Sequence, residues 1–226
     1  CRTVLLSNMI KTIFRLISPQ TKQETDSSEQ NRDARPWRLW QIEPALACNL
    51  KCVMCPWKGE RRKTGRASLY MNEKTWSSIL PHLEKVQSVD LTGGGEPLLQ
   101  PKLPHWFRQV KQAGCHTGFL TNGILFDTPV AEQIAELHPD WIGFSVDGAD
   151  QQTYETIRQG AQFDTLCKNI SYFTSLPEVQ DTLTMINFVI MKSNFHQLEH
   201  VVSLASELGI KQINFKQCDV IRNGDG

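Results

Sequence analysis

Cys48-Asn49-Leu50-Lys51-Cys52-Val53-Met54-Cys55 is the stretch from which the rest of the sequence can be read: three cysteines spaced C-x3-C-x2-C. Each iron of a cubane iron–sulfur cluster carries three sulfides and takes one outside ligand, so three cysteines leave one iron open. An open metal position belongs to a reactive site rather than a structural one. This spacing lets one tight loop bring its thiolates to three corners of a cube, whereas a zinc knuckle favours paired C-x2-C and a fourth Cys or His nearby. The nearest downstream histidine, His82, is too remote to belong to the same loop. Three ordinary buried thiols are the remaining alternative.

Downstream of Pro36, short apolar runs alternate with helical patterns, the sign of strands in a parallel sheet joined by crossover helices. The runs at 39–47, 86–92, 116–121, 141–146, 183–191 and 211–217 read as strands. Asn72 can cap a helix over 73–84 that Pro81 should kink or stop. Pro104 opens a helix ending at Gly114, and Thr128-Pro129 opens another ending before Pro139. Asp150 caps a helix reaching Gln159, and a further helix covers 164–175. Asn194 with Gln197 forms a capping-box pattern for a helix that stops at Gly209. Six strands with five crossovers make an α/β fold, an incomplete (β/α)6 TIM-like barrel.

In such a barrel the active site gathers at the C-terminal ends of the strands. Polar groups stand at every one of them: Cys48, Gly93 to Glu96, Thr121-Asn122, Ser145 and Asp147, Lys192 and Asn194, Gln217 and Asp219. Three glycines after a strand let backbone approach a ligand closely, although a plain loop explains them equally. Ser145 and Asp147 alternate with Phe144 and Val146, so the two polar side chains share a face. A hydroxyl beside a carboxylate suits a ribose diol or a methionine head group. The run Phe188 to Met191 offers an apolar strand for an adenine, with plain barrel core as the alternative. Trp57 and the basic run Arg61-Arg62-Lys63 read as a solvated loop, with contact to substrate or an electron donor as the alternative, and no spacing among the histidines demands a metal.

The three cysteines, taken with Gly93-Gly94-Gly95-Glu96-Pro97, Thr121-Asn122-Gly123, Ser145-Val146-Asp147-Gly148 and Arg158, resemble the signature of the radical S-adenosylmethionine (radical SAM) enzymes over residues 38–219. The wider pattern resembles the branch that carries a SPASM or twitch extension. The resemblance implies a [4Fe–4S] cluster on Cys48, Cys52 and Cys55, with SAM chelating the open iron. It implies that Gly94 and Gly95 bind the SAM amino group with Glu96 as acidic partner and that Ser145 and Asp147 contact it; Thr121 and Asn122 can orient the same cofactor, although Asn122-Gly123 is also a common turn pair that needs no function. Arg158 would take the methionine carboxylate through two parallel hydrogen bonds; a solvated helix residue is the alternative. Met54 occupies a position often aromatic in the family, where a thioether can still pack on adenine. The implied enzyme receives an electron from reduced flavodoxin or ferredoxin, cleaves SAM, and abstracts hydrogen from substrate through a 5′-deoxyadenosyl radical. The SPASM-like pattern favours a peptide or protein substrate. A small-molecule sugar, nucleotide or lipid precursor is the rival within the class, and a non-catalytic iron–sulfur or zinc module the rival outside it.

With 226 residues, 40% hydrophobic, the chain can bury one sizeable core, and its formal net charge of zero argues against nucleic acid. Seven cysteines, an odd number with three clustered, read as reduced thiols of a cytoplasmic protein. The formal sequon Asn169-Ile170-Ser171 falls within a predicted helix and reads as chance. Residues 1–18 read as a basic amphipathic helix, too short and too charged to span a bilayer. Such a helix can lie on a membrane, but packing against its own domain is the favoured reading. Residues 19–36 read as a polar linker, and 37–226 as the core barrel. A start at Cys1 and a stop just past a strand read as a fragment, ending before the last helix and any SPASM domain.

Overall fold

The computed structural model describes residues 32–57 and 69–218, so the amphipathic helix and most of the linker lie outside the described residues. Six parallel strands follow one another in the order β1 to β6: β1 Trp37–Gln41, β2 Val86–Asp90, β3 His116–Thr121, β4 Trp141–Ser145, β5 Leu183–Ile190 and β6 Gln212–Gln217. Between them run α1 Glu73–Ile79, α2 Leu103–Gln112, α3 Thr128–Ala135, α4 Gln151–Ile157, α5 Phe163–Ser175 and α6 Leu198–Glu207. This is the incomplete TIM-like half-barrel that the alternation predicts. Among the described residues no helix is long and apolar enough to cross a membrane.

Local chemistry sets the element ends. The side chains of Asn72, Asp127 and Asp150 accept from the backbone N–H of Thr75, Val130 and Thr153, satisfying donors that the first turns of α1, α3 and α4 leave orphaned. Pro81 converts the end of the first predicted helix into a 3-10 segment, Leu80–Lys85, because it has no N–H to continue the α-helical ladder. Gly114 and Gly209, with φ of 72° and 68°, turn the chain out of α2 and α6.

Register divides the side chains into two faces. Val89 and Thr117 share a row, as do Phe119, Ile142 and Thr184, and Phe144, Ile186 and Ile213. The β2 to β5 members of these rows are fully buried under the helices. There Phe126 meets the rings of Phe119, Phe144 and Phe173 at centroid distances of 6.4, 5.4 and 4.9 Å, and Trp76 stacks on Trp106 at 4.9 Å. The opposite face, with Asp90, Ser145, Asn187 and Lys216, is more polar and faces the inside of the arc.

Three sequence expectations change. The first strand ends at Gln41 rather than residue 47, because the chain leaves the sheet and Leu46 and Ala47 donate instead to Leu69 O. The capping box at Asn194 does not form. Asn194 is buried and braces two strand ends, donating to Asp147 O and Val189 O while accepting from Met191 N. Gln197 in turn donates to Asp150 and accepts from Ala149 N. Phe188 points to the helix side, against Phe215, so of the apolar run only Val189 reaches the site. Arg35, at the end of the predicted linker, donates to Val86 O and to Cys115 Sγ, tying that segment to the start of β2. Asn169 of the sequon is buried in α5 and donates to Gly123 O.

Candidate active site

The cysteine loop is held from three sides. Lys51 N and Val53 N donate to Gln159 O and Ile157 O, both at 2.9 Å, which fastens the loop to the end of α4. Leu50 is its buried apolar anchor, and Cys55 N closes a turn on Cys52 O. Asn122, just past β3, donates through Nδ2 to Asn49 Oδ1 at 2.8 Å. All six described cysteines are free of disulfides.

After β2 the glycines serve close packing. A Cβ on Gly95 would lie 2.3 Å from Ala45 O and 2.4 Å from Ala47 O, and one on Gly94 would meet the Trp57 ring at 2.7 Å. Gly94 N donates to Glu43 Oε1, and Glu96 N to Ala47 O. Backbone thus runs alongside backbone where any side chain would intrude.

Glu96 is 1% exposed. Its carboxylate accepts from Thr121 Oγ1 and Asn122 N at 2.8 Å and from Leu98 N at 3.2 Å. Burial pushes its pKa up against these hydrogen bonds and the field of Arg158. Among the described residues its contacts are all with neutral groups, so the ionised form would gain from a cation placed against it.

These elements enclose a cavity of about 370 Å³ at the C-terminal ends of the strands. Cys48, Cys52 and Cys55 form one wall with Met54 beside them. Gly94, Gly95 and Glu96 form a second, and Asn122, Ser145 and Arg158 continue the lining. Of the residues that the resemblance assigns to cluster or SAM, Asp147 alone stands behind the wall, and the strand-end residues Lys192 and Asn194 do not line the cavity either. Asp147 is 0% exposed, accepts from Val189 N at 2.6 Å, and pairs with Arg158 Nη2 at 2.7 Å. Ser145 lines the cavity but Asp147 does not, because past the end of β4 its carboxylate lies against Val189 N of β5.

Sequence reasoning missed Asn49 and Glu43; Trp57 is exposed, as the solvated-loop reading expects, while its ring lies close to Gly94, and the basic run Arg61-Arg62-Lys63 lies outside the described residues. Asn49 had one available signal, its place inside the cysteine motif. Lys216, Gln217 and Cys218 complete the lining from β6.

The donor set fits an iron–sulfur cluster with an aminoacyl ligand. Three thiols share one wall, yet among the described residues no three His, Cys, Asp or Glu side chains are grouped to hold a single metal ion. Burial pushes the Cys52 thiol up while Arg158 opposes that shift, which places a compensating charge beside the sulfur. Glu96 brings a buried carboxyl to the cavity, and Ser145 and Asn122 offer polar groups on it.

The sequence model of the radical SAM superfamily matches residues 42–205. A probable GTP 3′,8-cyclase of Methanococcus maripaludis is 26% identical over 182 residues, covering 80% of this chain and 59% of the relative. Mycofactocin maturase MftC of Mycobacterium ulcerans is 27% identical over 184 residues, covering 80% of this chain and 47% of the relative. The chain therefore spans about half the length of the curated relatives it matches. Its fold is shared with Streptococcus suis SuiB bound to S-adenosylmethionine, at TM-score 0.66 and 23% identity over 82% of this chain and 41% of that one. It is also shared with anSMEcpe bound to AdoMet, at TM-score 0.65 and 21% identity over 81% of this chain and 52% of that one.

Proposed function

Because this chain belongs to the radical SAM superfamily, we propose that it binds a [4Fe–4S] cluster through Cys48, Cys52 and Cys55 and SAM on the iron they leave open. The observation that carries this reading is the meeting of three thiols and a buried, cation-seeking Glu96 on one cavity. Once bound and given an electron from reduced flavodoxin or ferredoxin, cluster and SAM supply reductive carbon–sulfur cleavage and a 5′-deoxyadenosyl radical that abstracts hydrogen from substrate. The chain's own residues bind, orient and shield. Glu96 receives the SAM ammonium beside the backbone of Gly94 and Gly95, and Ser145 and Asn122 hydrogen-bond its polar groups. Met54 and Val189 give the adenine an apolar surface, and Trp57 limits the entry of water over Gly94.

A peptide or protein is the substrate we favour. The names of the relatives include both a nucleotide cyclase and a maturase, and the SPASM-like pattern of the sequence favours the second.

The test is chromatographic detection of 5′-deoxyadenosine after anaerobic loading with iron and sulfide, reduction by dithionite and addition of SAM. A signal lost on Cys48→Ala, Cys52→Ala or Cys55→Ala, with the fold retained, is the expected result. Full cleavage by any of the three would refute the cluster assignment. Saturable GTP binding to the loaded protein would overturn the preference for a peptide.

A further inference from the structure

The inner face of the arc carries charge that binding of cluster and SAM leaves unused. Strands β1 and β6 are the two edges of the sheet, and no pairing joins them. Asp90 stands on β2 and Lys216 on β6, both on the inner face. Thr92 N donates to Asp90 Oδ1 at 3.0 Å and Gln41 Nε2 to Asp90 Oδ2 at 3.5 Å, so the carboxylate rests on neutral donors. Burial pushes its pKa up, opposed by the hydrogen bonds of Thr92 and by the charge of Lys216, which acts on it from the far edge of the sheet. Among the described residues, however, no ion pair joins the two. Thr92 and Lys216 both line the cavity, and Asp90 is fastened to Thr92. On β5, beside β6, Asn187 has an Oδ1 that is buried without a hydrogen-bond partner. The inner face thus offers two acceptors and a cationic donor next to the cavity.

We propose that Asp90 and Lys216 are the two sides of a substrate subsite that takes a main-chain amide of a peptide, its N–H donating to the Asp90 carboxylate and its carbonyl accepting from the Lys216 ammonium. This rests on the peptide reading given above and names the groups that recognise the peptide. An ion drawn to either residue meets like charge at the other. A peptide unit is neutral and carries its donor and its acceptor on opposite sides, which matches the opposed pair. Hydrogen bonds in which one partner is charged are the stronger ones, so each side contributes to the grip. A second N–H of the same chain satisfies Asn187 Oδ1, an acceptor that a plain core would pair. The open edge leaves room for a chain to continue past the subsite: Leu39, two residues before Gln41 and therefore on the same inner face of β1, is 60% exposed.

The experiment is mass spectrometry of the 5′-deoxyadenosine formed by the loaded full chain, at SAM saturating for each variant, with uniformly deuterated probes in turn: a pool of synthetic octapeptides acetylated and amidated at their ends, the free amino acids, and GTP. Deuterium enters 5′-deoxyadenosine only from a molecule whose C–D bond the radical reaches. Wild type should take it from the blocked peptides alone. Asp90→Ala and Lys216→Met should each lower the deuterated fraction by about tenfold or more, and Asp90→Asn, which keeps an acceptor, should lower it less. Equal fractions in wild type and both variants, deuterium from the amino acids or GTP, alone or beside the peptides, or undeuterated product from every probe overturns the subsite. Should a variant fail to fold, octapeptides bearing a diazirine are photocrosslinked to the wild type: attachment on β2 or β6 supports the subsite, and attachment elsewhere, or none, overturns it. A wild type that forms no 5′-deoxyadenosine would instead refute the cofactor reading beneath it.

Discussion

Replacing Asp147 by alanine removes the anion from a pair in which neither side chain is more than 9% exposed. Arg158 stays behind as a buried cation, with Cys52 its remaining described contact at 3.8 Å. Breaking a buried pair in this way costs about 3–5 kcal/mol, and loss of the acceptor for Val189 N adds about 1 kcal/mol. Asp147→Asn keeps an oxygen for Val189 N and should therefore lose about 1 kcal/mol less. For a barrel of this size each kcal/mol moves Tm by roughly 2–4 °C, so the pair loss alone lowers it by about 6–20 °C. Thermal unfolding of the cluster-free protein, followed by circular dichroism, measures this directly. A loss below about 1 kcal/mol for Asp147→Ala, the range of an exposed ion pair, would refute the reasoning. If Asp147 instead touched SAM, alanine would weaken SAM binding and leave the cluster-free protein as stable as before.

Gly95→Ala forces a Cβ to within 2.4 Å of two carbonyl oxygens, Ala45 O and Ala47 O. Overpacking of this kind should cost about 1–3 kcal/mol, and because the displaced segment leads into Cys48, iron content after reconstitution should fall with it. Glu96, raised by burial, binds an ammonium as the anion, so SAM affinity should weaken as pH falls through a range above the usual 4.5. Glu96→Gln should abolish that pH dependence and weaken binding at neutral pH by about 10- to 100-fold, read by isothermal titration. A variant that kept the same pH profile would show that another group sets it. Phe126→Ala opens the junction of three other buried rings and should cost about 3–5 kcal/mol in denaturant unfolding, with SAM binding unchanged while the protein is folded.

Much of the barrel is legible before any contact is known, because the devices that make it are local. The caps at Asn72 and Asp150 act within three residues, as do the helix start at Thr128-Pro129 and the effect of Pro81. The cysteine spacing likewise sits within one loop. Errors arise where local chemistry offers two uses for one side chain. Asn194 has the composition of a cap but is used as a brace, since a buried amide beside two strand-end carbonyls satisfies more groups there than at a helix end. Asp147 has the right alternation for a cavity residue, yet strand alternation ceases to govern direction once the strand has ended at Ser145.

The order of strands and helices, the loop that gathers three thiols and the glycines that allow backbone to approach were determined by the sequence itself, through periodicity, capping and the absence of side chains. Which groups meet across the cavity was decided only in three dimensions. Arg158 reaches Cys52 over 106 residues, Asn122 reaches Asn49 over 73, and Gly94 reaches Glu43 over 51. No local pattern encodes such pairs, because each depends on the parallel register of separate strands bringing distant ends to one level. The same register buries Asp147 and Arg158 together, and burial determines what a carboxylate or a guanidinium can do there.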